Sequence, residues 1–215
     1  LDSGHNVTLT ASAGGISTNG IGSNESITLS ATGGDITTGN LTGGIDGTVS
    51  VTTLTSGNIS VGAIGPAAGS LDSVQLASAG SLTTNGNDIA AGSISLSAAN
   101  GDLSAGNLNV KLGGGSISVT SFGDSADITV GQVSGGTADG PLGSVSLTSG
   151  GSLSASNTDI TAGNISTTDI RGSDGGYANA SVTVRAAGSI STGSIATNAQ
   201  SASSSAYANV ELTAG

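Results

Sequence analysis

One short pattern recurs along the chain: an aliphatic residue, a small polar residue and a second aliphatic. It stands as Val7-Thr8-Leu9, Ile27-Thr28-Leu29, Val49-Ser50-Val51, Val74-Gln75-Leu76, Ile94-Ser95-Leu96, Ile117-Ser118-Val119, Val145-Ser146-Leu147, Val182-Thr183-Val184 and Val210-Glu211-Leu212. The starts are separated by 20, 22, 25, 20, 23, 28, 37 and 28 residues. Alternation with period two predicts strands buried on one face, not helices. A second aliphatic anchor follows eight to eleven residues later, as in Gly15-Ile16, Asp35-Ile36, Asn58-Ile59, Asp102-Leu103, Asp127-Ile128 and Ser189-Ile190. Five residues further a third often appears: Ile21, Leu41, Ile64, Leu108, Val133, Ile165 and Ile195.

Three short strands and three corners in each unit of 20–28 residues describe a coil of roughly triangular section. The predicted fold is all-β, a parallel β-solenoid of about nine coils, with neighbours about 4.8 Å apart and a height of about 43 Å. Residues 172–177 and 197–207 read as insertions bulging from corners, and the span 147–182 as the place for an extra, degenerate coil. One coil offers about five aliphatics, each worth about 1.5–3 kcal/mol when buried. Ordering its twenty-odd residues costs about 1–2 kcal/mol apiece in backbone entropy. A coil therefore stands only when others cover it above and below.

Composition agrees with strands and corners. Of 215 residues, 38 are Gly, 38 Ser and 26 Thr, and only 8% are charged. Ser, Thr and Val suit a pleated surface, while Gly, Asn and Asp suit tight corners. Net charge is −11 with three basic residues, Lys111, Arg171 and Arg185, so a nucleic-acid partner is not expected. No apolar run reaches the roughly 20 residues of a membrane span, and no membrane insertion is expected. With no Cys the chain has neither a disulfide framework nor a thiolate metal site.

Three stretches carry a family resemblance: residues 92–108 (GSISLSAANGDLSAGNL), 144–153 (SVSLTSGGSL) and 187–195 (AGSISTGSI). The chain resembles the repeats of filamentous-haemagglutinin-type adhesins, large exoproteins of bacterial two-partner secretion; autotransporter passengers look similar. The resemblance implies a right-handed parallel β-helix, an extracellular or cell-surface location, and a shaft that holds a distal binding region away from the cell. A glycan or protein receptor would then be reached through flanking regions. The Asn-Pro-Asn-Gly motif of that family's secretion domain has no counterpart around Pro66 or Pro141, so the chain reads as shaft. Neither terminal unit reads as a cap. Residues 1–215 are therefore expected to be a single solenoid segment of a longer array, or a unit that associates with itself end to end or laterally.

Candidate chemistry is sparse. His5 is the single histidine, and Asp2, Ser3 and His5 hold the letters of a catalytic triad without its geometry. Asp35, Asp102 and Asp127 precede second anchors. Asp102 and Asp127, on adjacent coils, are the weak calcium candidates, although Gly15, Asn58, Ser81, Ser152 and Ser189 at the same place favour turn chemistry. Glycine runs at Gly33-Gly34, Gly43-Gly44 and Gly113-Gly114-Gly115 lack the Lys of a phosphate loop. No cofactor and no enzymatic activity are expected. Polysaccharide-processing β-helices group carboxylates and basic residues, so a carbohydrate-binding or carbohydrate-active solenoid is the alternative, with only Phe122, Tyr177 and Tyr207 as aromatic platforms. The tyrosines are expected at equivalent corners. Ser17-Thr18, Thr37-Thr38, Thr83-Thr84 and Ser191-Thr192 suggest a third reading, an ice-binding hydroxyl row, which Ser60-Val61, Ser104-Ala105 and Ser154-Ala155 interrupt. Six Asn-x-Ser/Thr sequons, at Asn6, Asn24, Asn40, Asn58, Asn164 and Asn179, are what a chain so rich in Ser and Thr produces by chance.

Overall fold

The computed structural model describes residues 1–111, 115–123, 126–135, 142–149, 160–162, 165–172, 178–186, 188–201 and 206–214. The chain is an all-β, parallel β-solenoid. Its first face is a nine-stranded sheet in chain order: Val7–Ala11, Ile27–Gly33, Thr48–Ser56, Ser73–Ser78, Ser93–Ala98, Gly115–Ser121, Leu142–Ser149, Ala178–Ala186 and Ala206–Ala214. The recurring aliphatics stack in register, Val7 on Ile27, Ile27 on Val49 and so on to Val182 on Val210. Period-two alternation turns Ile27, Leu29, Val49, Val51, Ile94 and Leu96 inward, where each is buried.

The second and third faces form one 15-stranded sheet. Second anchors pair from Ile16 through Ile36, Ile59, Leu82, Leu103, Ile128 and Ile160 to Ile190. Third anchors pair from Ile21 through Leu41, Ile64, Ile89, Leu108, Val133 and Ile165 to Ile195. In the first two coils one continuous strand, Ile16–Ser23 or Ile36–Gly43, bends through the corner between these faces. From Ile59–Ser60 and Ile64–Pro66 onward it divides in two, as the sequence suggests for every coil.

Leu82 and Ile89 are seven residues apart instead of five, and the corner absorbs the surplus. Asn85 and Gly86 both adopt positive φ, 54° and 73°, and the Asn87 amide donates to the Thr84 carbonyl at 2.9 Å. Asn and Gly are the residues that tolerate this conformation.

Two expectations are corrected. The strand Leu142–Ser149 pairs directly with Ala178–Ala186, setting Val145 against Val182, so no extra coil is inserted in the span 147–182. Residues 197–201 do not bulge at a corner. They prolong the strand Ile195–Ser201, whose Gln200 lies opposite Arg171 of Ile165–Gly172; both neighbouring units are long here and extend against each other. Gly172, Ala206 and Tyr207 likewise belong to the strands Ile165–Gly172 and Ala206–Ala214; residues 173–177 and 202–205 lie outside the described residues.

Inward positions that follow an anchor complete the core. Val61, Thr84, Ala105 and Val130 are buried two places after second anchors, and Leu71 fills a corner where a Cβ on Gly43 would come within 2.5 Å of it. At or near the end of the first-face strands stand Ala31, Thr53, Ser78, Ala98, Ser121, Ser149 and Ala186, all buried. These small side chains let the chain turn sharply. Their hydroxyls satisfy corner carbonyls, with Ser78 Oγ donating to Gly57 O at 3.1 Å and to Ser81 O at 2.8 Å, and Ser149 Oγ to Ala126 O at 2.7 Å.

Because Leu96 is fully enclosed between coils, Leu96→Ala is expected to cost about 2–5 kcal/mol. Its outward neighbour, Ser95→Ala, is expected to stay within about 0.5 kcal/mol of the parent. Urea unfolding followed by circular dichroism measures both.

Candidate functional site

The chemistry of the coil corners lies in the residue just before each anchor. In the ladder, the anchor amide donates to the carbonyl of the pre-anchor residue one coil further on, as Ile36 N–H does to Asn58 O and Ile59 N–H to Ser81 O, both at 2.9 Å. The amide of that next pre-anchor residue points back at the preceding coil, and a side chain there receives it. On the second face Asp35 Oδ1 accepts Asn58 N–H at 2.7 Å, Asn58 Oδ1 accepts Ser81 N–H at 2.8 Å, and Asp102 Oδ1 accepts Asp127 N–H at 3.0 Å. On the third face Asn40 Oδ1 accepts Ala63 N–H, Asp88 Oδ1 accepts Asn107 N–H and Asn107 Oδ1 accepts Gln132 N–H, at 3.0, 2.9 and 2.8 Å. On the first face Asn6 Oδ1 takes Ser26 N–H and Ser26 Oγ takes Thr48 N–H, both at 2.9 Å. An oxygen on a short side chain is what this place requires, because Cβ stands one bond from the coil path and the amide is one coil away.

Glycine precedes the capped residue for a related reason. A Cβ on Gly80 would lie 2.4 Å from Asn58 Oδ1, and one on Gly131 would lie 2.6 Å from Asn107 Oδ1. The triplet glycine, small polar residue, aliphatic therefore encodes room for a cap, the cap itself and a core anchor. Sequence reading took the middle residue for a turn former. Its recurrence at the same step before anchors on all three faces was the signal for an inter-coil role. The sequons follow from the same rule: Asn6, Asn40 and Asn58 are caps, each followed by an inward aliphatic and then an outward Ser or Thr. Asn24 is an exposed corner residue, and Asn164 lies outside the described residues.

The weak calcium candidates Asp102 and Asp127 do come together, but as acceptor and amide donor. Among the described residues no group of three or more His, Asp or Glu is placed to hold a metal ion. His5 Nδ1 lies 3.2 Å from Glu25 Oε1 on the surface, and Ser3 Oγ receives the His5 backbone amide at 3.2 Å. Asp2 meanwhile pairs with Gly22 in a strand edge. Of the glycine pairs, Gly34 and Gly44 donate their amides to the carbonyls of Ser56 and Glu25; Gly113 and Gly114 lie outside the described residues. Tyr207 stands opposite Asn179 at the start of a first-face strand, and Tyr177 is outside the described residues. An open depression of about 460 Å³ near the first coils is lined by Asp2, Asn24, Asn40, Thr42 and Ala67 among others.

The hydroxyls divide unexpectedly between core and surface. Thr38 and Thr84 of the suggested second-face row are buried, their Oγ1 atoms donating to Gly39 O at 2.8 Å and Asn87 O at 2.6 Å. The first face presents the fuller array. One outward column reads Thr8, Thr28, Ser50, Gln75, Ser95, Ser118, Ser146, Thr183 and Glu211. The column two residues along reads Thr10, Ser30, Thr52, Ala77, Ser97, Thr120, Thr148, Arg185 and Thr213. Arg185 and Glu211 form an exposed ion pair across two strands.

No family model matches the chain, and no similar curated protein or solved structure was found.

Asn58→Ala, which removes the acceptor of the Ser81 amide, is expected to lose about 0.5–1.5 kcal/mol, whereas Asn58→Asp keeps the oxygen and most of the stability. Thermal unfolding of the two variants checks this. Asp102→Asn is expected to unfold within about 0.5 kcal/mol of the parent, with or without calcium. A calcium-dependent rise in Tm that this variant abolishes would restore the metal reading.

Proposed function

We propose that this chain is a non-enzymatic structural segment of a secreted bacterial surface adhesin or extracellular filament. In this reading the chain forms a right-handed rod of about nine coils, in keeping with the hand of parallel β-crossovers in general. Its task is mechanical: to span distance while staying folded in the open environment outside a cell. The observation that carries the reading is the doubling of axial bonds at the corners. Besides the backbone ladders, side-chain caps from Asn6, Asp35, Asn40, Asn58, Asp88, Asp102 and Asn107 join one coil to the next. Corners are where a solenoid frays first, since the ladder is interrupted there. Capping them on all three faces stiffens the stack along its axis and denies proteases an extended segment.

The exterior suits the same task. Outward columns of Ser and Thr keep the surface hydrated with few charges, and the net charge of −11 disfavours adhesion to anionic envelopes. The likeness to filamentous-haemagglutinin-type repeats supports a place in a shaft. Immunogold electron microscopy of the source cells tests the proposal. Label along thin surface rods is the expected result, and label confined to the cell interior overturns it.

One observation favours a second reading. The first-face columns set Ser and Thr hydroxyls about 4.8 Å apart along the axis and about 6.6 Å apart along each strand, broken at Gln75, Ala77, Arg185 and Glu211, an array suited to ordered water or ice. Thermal hysteresis is its measurement. A gap between melting and freezing points, reduced when Ser95 and Ser118 are replaced by Lys, supports it; no gap discards it.

A further inference from the structure

We infer that Asn100 is a self-modification site: its side-chain amide is lost to attack by the following backbone nitrogen, and the loss unfastens the corner it holds. Asparagine followed by glycine is the step at which this chemistry runs, because glycine leaves the attacking nitrogen unhindered. The chain has three such steps, Asn19-Gly20, Asn85-Gly86 and Asn100-Gly101. The fold restrains two of them and leaves the third open to reaction. Gly20 lies inside the strand Ile16–Ser23, in register with Asn40, so the ladder fixes the backbone that would have to turn. Asn85 and Gly86 form a left-handed corner that is braced from several sides. Asn85 N–H donates to Thr83 Oγ1 at 2.9 Å, and its Nδ2 donates to Ser60 Oγ at 3.1 Å and to Val61 O at 3.2 Å.

Asn100 is exposed and stands outside the strands, between Ser93–Ala98 and Leu103–Ala105. Among the described residues one bond holds its side chain, from Nδ2 to Ala79 O of the preceding coil at 2.8 Å. The Gly101 amide, whose nitrogen attacks, makes no hydrogen bond among the described residues. The fold itself creates this step. Gly101 precedes the cap Asp102, and a Cβ there would collide with Ser81 Oγ, so glycine is the residue that fits. At the place before that glycine the preceding coils carry Gly33, Ser56 and Ala79, none with a side-chain amide to lose.

In the step, the Gly101 nitrogen bonds to Asn100 Cγ as the Cγ–Nδ2 bond breaks, and the Gly101 amide proton leaves with Nδ2 as ammonia. A succinimide ring remains, and one water opens it. Opening at Cγ gives aspartate. Opening at the Asn100 main-chain carbonyl gives isoaspartate, with the chain routed through Cγ and lengthened by a methylene. Water is consumed and ammonia released, and nothing is oxidised or reduced. Either product lacks Nδ2, the donor to Ala79 O, and sets a carboxylate against that carbonyl. The capping asparagines Asn58 and Asn107 differ in both respects. Ile59 and Leu108 follow them and hinder the attack, and they act through Oδ1, which an aspartate retains, as Asp35 and Asp88 do in the same columns.

Ageing the folded 215-residue chain at mildly alkaline pH and mapping its peptides by mass spectrometry tests this, with labelling by an isoaspartate-specific methyltransferase as a second readout. Conversion at Asn100 is expected to outrun that at Asn85 by about tenfold, the effect of at least one more hydrogen bond to break there. In urea the three steps should convert at similar rates. Asn100→Gln keeps the amide but closes its larger ring far more slowly, so the isoaspartate signal of the folded chain should fall away. Conversion of Asn85 or Asn19 as fast as Asn100 in the folded chain overturns the proposal, as does a signal that Asn100→Gln leaves undiminished. So does an Asn100 that survives in the folded chain while it converts in urea. Asn100→Asp, the aspartate product made directly, is expected to melt below the parent; equal Tm values overturn the unfastening of the corner.

Discussion

The spacing between hydrogen-bonded strands governs this molecule. Each coil must lie one strand spacing from the next around its whole perimeter, which makes every residue part of a column and every column a repeated chemical environment. Inward columns accept aliphatics on the faces and Ala, Ser or Thr at the first corner. A side chain larger than its column allows would push two coils apart and break the ladders on all three faces. The chain therefore tolerates variable length far better than variable volume. Surplus residues between Leu82 and Ile89 are absorbed by a left-handed Asn-Gly corner, and the longer units near the carboxyl end extend as paired strands instead.

The same constraint creates the polar problem that the caps solve. At a corner the chain changes direction, so an amide that would have a ladder partner in a flat sheet is left facing the coil beneath. Losing its hydrogen bond would cost about 0.5–1.5 kcal/mol, a cost that recurs on all three faces. A single short acceptor on the preceding coil removes that cost. Asp, Asn and Ser serve equally because all three place an oxygen one or two bonds beyond Cβ, which is why the column looks chemically indifferent while being geometrically strict. Carboxylates in it are backbone acceptors first, and their closeness to each other follows from coil spacing.

Function in such a fold is a property of surfaces. The first face and the capped corners are each made by many residues of ordinary type, not by a few unusual ones.

Much of this architecture was legible beforehand. The aliphatic-polar-aliphatic triplets and the five-residue steps between anchors determined the strands, the faces and the inward residues, because period-two alternation and burial are local consequences of side-chain order. What the tertiary structure decided was everything that depends on the neighbouring coil. Thr38 and Thr84 look like surface hydroxyls in the sequence and are core residues in the fold, since only pairing shows which side of the strand is enclosed. Asp102 looks like a metal ligand or a turn former and proves to be an amide acceptor for residue 127, a partner that no local pattern names. The span 147–182 holds a single coil because Val145 meets Val182 directly. Sequence order sets what each strand can bury, while stacking sets what each corner must satisfy.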